Sequence, residues 1–181
     1  MSRQMLQPSA LAGLPPLRAA TKAWMVLHTK SRQEKAVARF LTAAGSQYYL
    51  PLIDRVNVIR GRKIVSRIPL FASYVFLCGD LEDGYAAIAT KRVCRLIQVR
   101  DQEGFCRDLE QIRTALLAGA DLYHCPFAVV GAWCRVIKGP FEGVEGVVSR
   151  QLGHNRLALQ IQTLGIGVVL EIDADLLEPV C

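Results

Sequence analysis

The spacing of apolar positions changes several times along the chain, and each change marks an element. "AWMVLHT" (23–29) is an apolar run bounded by charge and reads as a strand. In "KSRQEKAVARFLTAAG" the period becomes helical, with Val37, Phe40, Leu41 and Ala44 falling on one side. Ser31 with Glu34 three residues on predicts a capping-box start, and Gly45 supplies the stop. Next, "SQYYLPLIDRVNVIRGRKIVSRIPL" has two mixed apolar and polar runs around "IRGRK", the pattern of a β-hairpin turning at Gly61. "SYVFLCG" follows as a strand, "LEDGYAAIATKR" as a short helix weakened by Gly84, and "VCRLIQVR" as a further strand. "CRDLEQIRTALLAG" is amphipathic, with Leu109, Ile112, Leu116 and Leu117 on one side and Gly119 at its end.

This β-α-β-β-β-α-β-α order predicts an α+β sandwich, one antiparallel sheet with helices packed on it. The stretch "ADLYHCPFAVVG" has no clear period and contains Pro126, so a linker is expected there. Beyond it, short apolar runs alternate with turns at Gly139-Pro140, Gly143, Gly146, Gly153 and Gly165. That is the pattern of a small all-β barrel of about five strands. The expected organisation is an arm over 1–21, a first module over 22–118, a linker over 119–128 and a second module over 129–181.

Charge sharpens this division. Residues 1–121 carry 18 Lys and Arg against 10 Asp and Glu; residues 122–181 carry 4 against 6. The basic excess belongs to the first module, which points to a polyanionic neighbour there and a different partner for the second. A hydrophobic fraction of 51% with 21% charged residues describes a folded chain, and no apolar run is long enough to cross a bilayer. Residues 1–20 lack the uninterrupted apolar core of a signal peptide, so a cytoplasmic protein with no membrane association is expected. The six cysteines (78, 94, 106, 125, 134 and 181) form no CxxC pair and are read as reduced thiols, several of them core residues. Zinc ligation by Cys106, His124 and Cys125 matches no standard spacing.

Catalytic signatures are missing: there is no GxSxG, no phosphate-binding P-loop and no HExxH, and the three histidines fall in different segments. A binding protein without cofactors is expected rather than an enzyme. Candidate contact residues are basic or aromatic. Arg60, Arg62 and Lys63 gather at the hairpin tip, where they suit a phosphate backbone or simply a solvated turn. Lys30, Arg32 and Gln33 stand at the first helix's start, and Arg92 with Lys91 before a strand, equally open to both readings. Phe71, Tyr74 and Phe76 in "RIPLFASYVFLCG" are either core or a docking surface, Tyr74 and Phe76 projecting to one face. "VIKGPFEGVEGVV" fits the KOW motif, with Gly146 at the tight bend between two strands.

"WMVLHTKSRQEKA", the hairpin, "PLFASYVFL" and the KOW segment, in this order, resemble the NusG family of transcription elongation factors over about residues 22–180. The likeness is greatest to the specialised paralogues of the RfaH and polysaccharide-operon antiterminator types. It implies an NGN domain followed by a KOW domain. It also implies binding to the clamp helices of RNA polymerase's largest catalytic subunit, with suppression of pausing and termination at selected operons. On matching positions, His28, Phe71, Tyr74 and Phe76 would meet the polymerase. Lys30, Arg32, Gln33 and Arg92 would meet the non-template DNA strand, and the hairpin tip would lie near upstream DNA. The KOW domain would bind a ribosomal protein or Rho.

Two departures stand out: "FASYV" replaces the family's "FPGYV" or "FPSYV", which predicts a looser turn, and "GYAAIATK" replaces the threonine-rich motif of RfaH. The β-branched residues and glycines of the second module favour a barrel over the helical hairpin of RfaH. The alternatives are a KOW-type protein bound to ribosomal RNA, which would not need the aromatic group, and the housekeeping NusG.

Overall fold

The computed structural model describes residues 22–59, 62–125, 131–151 and 154–180. The expected N-terminal arm, Arg60 and the Gly61 turn therefore lie outside the described residues. The described residues divide into two compact units, one over 22–102 and one from Glu103 onward.

The first unit is built on a four-stranded antiparallel sheet. Its strands are β1 (Ala23–Thr29), β2 (Gln47–Tyr49), β5 (Tyr74–Gly79) and β6 (Val93–Gln98), in the order β2-β5-β1-β6. Alternation sends Met25, Leu27, Val75 and Leu77 to one face. There they pack with Val37 and Leu41 of α1 (Glu34–Ala43) and Ala87 of α2 (Leu81–Ala89). At about 25 cal/mol per Å² of apolar surface removed from water, each such Val, Leu or Met side chain contributes roughly 1.5–3 kcal/mol. Both faces of β1 are buried, since Trp24 and Val26 on the opposite side are as enclosed as Met25 and Leu27.

The hairpin forms as expected, but not inside the main sheet. β3 (Leu52–Ile59) and β4 (Arg62–Pro69) make a separate two-stranded ribbon with Val56 opposite Val65 and Val58 opposite Lys63. Its valines stay largely in solvent, and the hydrogen bond from Leu70 N to Pro51 O (2.8 Å) closes its base.

Local expectations for the first two helices are corrected in part. The first helix does not begin with a capping box on Ser31. Gln33 is its N-cap and makes no side-chain cap, because Arg32 turns the chain with φ 61° and Glu34 is committed elsewhere. The real capping box belongs to α2, where Asp80 and Asp83 exchange side-chain and backbone bonds. Gly84 in that helix sits where a Cβ would meet Leu96 of β6 at 2.8 Å, so it permits close helix–sheet approach. At the other end of α1 the stop is as expected: Gly45 has φ 72°, and Gly45 N and Ser46 N bond to Thr42 O and Leu41 O, a Schellman closure.

Helix α3 (Gln102–Leu117) starts four residues before the expected "CRDLEQ" start, and nearly all of it belongs to the second unit. Its buried side is Phe105, Leu109, Ile112 and Ala115, whereas Leu117, expected on the apolar side, is 53% exposed. Leu117 lies one residue before the helix-ending turn, where the chain already leaves the helical stripe.

The remainder of the second unit is all β, as its β-branched content implies. β7 (Tyr123–Cys125), β8 (Ala132–Val136), β9 (Glu145–Gln151), β10 (His154–Ile161), β11 (Ile166–Glu171) and β12 (Leu177–Pro179) form one antiparallel sheet ordered β12-β8-β9-β10-β11-β7. β7 lies in the stretch expected to be an unstructured linker; pairing with β11 satisfies its backbone. Leu157, Leu159, Val168 and Leu170 supply the core. Gly146 is needed for space: a Cβ there would stand 2.4 Å from the carbonyl oxygen of Ala158 on the neighbouring strand. The α3 side chains of Gln111 and Asp108 accept hydrogen bonds from Glu145 N and Gln162 N, which ties the helix to the sheet within this unit. The fold is α+β, an antiparallel sheet with flanking helices followed by a β-rich region.

Candidate nucleic-acid and protein interface

Apart from Arg62 and Lys63 on the ribbon, the described candidate residues of the first unit gather toward one end of its sheet, where β1 finishes and β5 and β6 begin. The antiparallel register sets His28 opposite Tyr74 on one side and opposite Arg95 on the other. The His28 and Tyr74 rings lie 5.2 Å apart between centroids, tilted by 32°, and both are half-buried. Immediately beyond, Thr29 N donates to Ser73 O and Lys30 N donates to Arg92 O, both at 2.8 Å. Two segments far apart in sequence are thereby stitched together, and their cationic residues become neighbours.

Backbone geometry shapes this basic corner. Arg32 and Lys91 hold φ of 61° and 60°, conformations that cost an L-residue roughly 1–2 kcal/mol each. Gln33 N donates to Lys30 O (3.1 Å), closing a turn between strand and helix. Lys30, Arg32, Lys91 and Arg92 are all exposed, and Gln33 is half-buried. Such a cluster, beside backbone that has just left a strand, suits phosphate contacts.

The "FASYV" turn is tighter than its sequence predicts. Tyr74 N donates to Phe71 O at 3.3 Å, and Ser73 takes φ 67°, the position at which the family pattern has glycine or serine. What holds Ser73 there is Glu34: its carboxylate accepts from Ser73 N at 2.7 Å while only 5% of the residue remains exposed. Ala72 itself is exposed to solvent and holds nothing.

Phe71 and Phe76 occupy a different environment from Tyr74. They are 1% and 0% exposed and meet edge to face at 5.9 Å, with Tyr49 6.2 Å from Phe76. In this structure they form an aromatic layer behind the strand end, and Tyr74 and His28 are the reachable rings. Arg62 and Lys63 are exposed on the ribbon, apart from the sheet end. Arg95 escaped the sequence reading, as did the bond of Glu34 to Ser73, since Glu34 was expected in a capping box. Arg95 is a charged residue within an apolar run, and only the pairing of β6 with β1 shows which face it takes.

Electrostatics at the opposite end of the sheet is structural. Lys22 bonds to Asp80 at 2.8 Å and to Asp83 at 3.3 Å. The Lys22 bond holds the Asp80 carboxyl down at about 2, and the two carboxylates in turn raise Lys22. The thiol of buried Cys78 is pushed up by desolvation. Cys78, Cys94, Cys106 and Cys134 form no disulfide, and of these Cys94 is exposed rather than core. Among the described residues no group of three potential ligands could hold a metal ion, and no helix is long and apolar enough to cross a membrane. The side chains of His124 and Cys125 lie outside the described residues.

Comparison with known proteins bears on the first unit most directly. Residues 22–111 match the family model described as "Transcription termination factor nusG". A solved structure of Thermotoga maritima NusG, described for its domain interaction, is 20% identical with a TM-score of 0.45. The alignment covers 89% of this chain and 98% of that one. No curated protein matches the chain.

Proposed function

We propose, from a first module that is a NusG-family domain, that this protein is a transcription elongation factor acting by binding RNA polymerase. The sheet end carrying His28 and Tyr74 docks on the clamp helices of the largest catalytic subunit, with Phe71 and Phe76 completing the aromatic set behind them. Lys30, Arg32, Gln33 and Arg92 contact the exposed non-template DNA strand. Arg62 and Lys63, with Arg60, approach upstream DNA from the ribbon. The single observation that carries this reading is the convergence of the aromatic pair and the basic corner on one edge. A factor seated there touches protein and nucleic acid together.

No bond chemistry is required of the factor. If it binds the closed clamp better than the open one, it shifts that equilibrium by the difference in affinity and suppresses pausing and termination. We assign it to the specialised, operon-directed branch on the likeness of "WMVLHTKSRQ" and "VIRGRKIVSRIPLF" to that branch and on the altered "FASYV" sequence. The second module, with its acidic balance, takes a protein partner, a ribosomal protein or Rho.

The test is binding of Tyr74→Ala and His28→Ala variants to purified core RNA polymerase, with folding checked by circular dichroism. Affinity is expected to fall at least tenfold, the cost of losing an aromatic hot spot of about 1.4 kcal/mol or more. Wild-type affinity in both folded variants would refute the docking surface.

A further inference from the structure

Arg95 stands in a cross-strand row, Tyr74–His28–Arg95, contributed by three adjacent strands. Side chains directly opposite each other on antiparallel strands share a face, with Cβ atoms about 4.5–5.5 Å apart. The assignment of faces is independently supported: Leu27 and Leu96, the next pair along the register, pack into the core on the helix side. Arg95 therefore projects to the opposite side, that of His28 and Tyr74. Its side chain is exposed, and no ion pair or hydrogen bond engages it among the described residues. Four arginines elsewhere among the described residues pair with carboxylates: Arg67 with Asp54, Arg113 with Glu110, Arg135 with Glu145 and Arg156 with Glu171.

We infer that Arg95 is a specificity-determining contact, and that the partner segment covering His28 and Tyr74 presents a carboxylate to it. The inference rests on the docking surface proposed above and adds the chemistry of what docks. A segment that covers the two half-buried rings must also cover or border a guanidinium one strand away. Removing that charge from water without an acceptor is costly, so an apolar segment alone would be repelled. Arginine's planar fork matches a carboxylate through two parallel bonds, an arrangement that selects partner and orientation together. The aromatic pair supplies contact area and Arg95 supplies discrimination. The partner is thus an amphipathic surface with an acidic residue at its edge, not a purely apolar ridge.

The experiment measures binding of Arg95→Glu, Arg95→Ala, Arg95→Lys and Tyr74→Ala to purified core RNA polymerase without nucleic acid. Because Arg95 is exposed and unengaged, its variants are expected to keep the wild-type unfolding midpoint. Arg95→Glu is expected to weaken binding at least tenfold, Arg95→Ala about fivefold and Arg95→Lys least. Replacing the facing clamp-helix carboxylate by lysine should restore binding of Arg95→Glu. If Tyr74→Ala loses affinity while Arg95→Glu binds as wild type, the docking surface stands and this inference falls. If Arg95→Glu alone loses affinity, the arginine acts outside the row and the inference falls as well. If neither changes, the docking surface itself is wrong. If only crosslinking to DNA changes, Arg95 is a phosphate contact and the inference is overturned.

Discussion

The carboxylate of Glu34, at the start of α1, accepts a hydrogen bond from the backbone N–H of Ser73 at 2.7 Å. This bond joins the first helix to the turn that launches β5, and it fixes where Tyr74 emerges. The acid serves a left-handed, Cβ-bearing residue, so it offsets local strain at the edge of the candidate interface.

Glu34→Ala should leave Ser73 N–H without its acceptor in a buried setting, destabilising the protein by about 1–3 kcal/mol in urea unfolding. Glu34→Gln retains a carbonyl oxygen and should cost less. Equal loss from both variants would assign the effect to charge rather than to the hydrogen bond.

Ser73→Gly should be neutral or stabilising by up to about 1 kcal/mol, because relief of the positive φ outweighs glycine's entropy in the unfolded chain. Ser73→Val should be destabilising by about 1–2 kcal/mol, since a β-branched side chain tolerates this conformation worst. Thermal unfolding of the pair gives the comparison directly. The looser turn expected from Ala72 is not what the structure has, because the restraint comes from residue 34 and not from the missing proline.

Gly146→Ala should cost about 1–3 kcal/mol, as the added methyl would meet a strand carbonyl that cannot swing aside. The loss should appear in amide exchange of the second unit's strands and leave those of the first unchanged. Protection of the β8–β9 pair equal to wild type would count against it.

The Asp80 carboxyl, held at about 2 by Lys22 against an ordinary value of 3.8, makes a signed prediction about acid. A carboxyl whose folded value is depressed stabilises the native state above its unfolded value. That contribution is lost as pH falls toward the folded one. Stability of the wild type relative to Asp80→Asn should therefore be constant above about pH 5 and shrink between about pH 4 and 2. A difference that instead grew on acidification would reverse the sign and exclude the Lys22 bond as its cause.

Replacing Lys30, Arg32 or Arg92 by alanine should flatten the dependence of single-stranded DNA binding on salt. The slope of log affinity against log salt concentration should fall by roughly 0.7 for each phosphate the replaced cation had neutralised. The weakening should be similar across sequences where the residue meets phosphate, and sequence-dependent where it meets a base. Arg62→Ala and Lys63→Ala test the ribbon in the same titration with duplex DNA.

Most secondary structure is legible along the chain because periodicity is a local property. The apolar run 23–29 is β1 with the same ends, Gly45 stops α1, and the mixed runs around "IRGRK" pair as a ribbon. The errors fall where a side chain's partner is distant. Ser31 and Glu34 have capping-box spacing, yet the carboxylate finds a better donor 39 residues away. Tyr123–Cys125 shows no strand period because its pairing comes from β11.

The candidate site divides in the same way. Sequence alone identifies the aromatic and basic residue types and the two modules they belong to. Only the tertiary structure bonds Lys30 to Arg92, separates the reachable Tyr74 from buried Phe71 and Phe76, and places Arg95 beside His28. The physical reason is that alternation says two faces exist within a strand. Which residues share a face across strands depends on register, set by long-range hydrogen bonds and core packing that no local window contains.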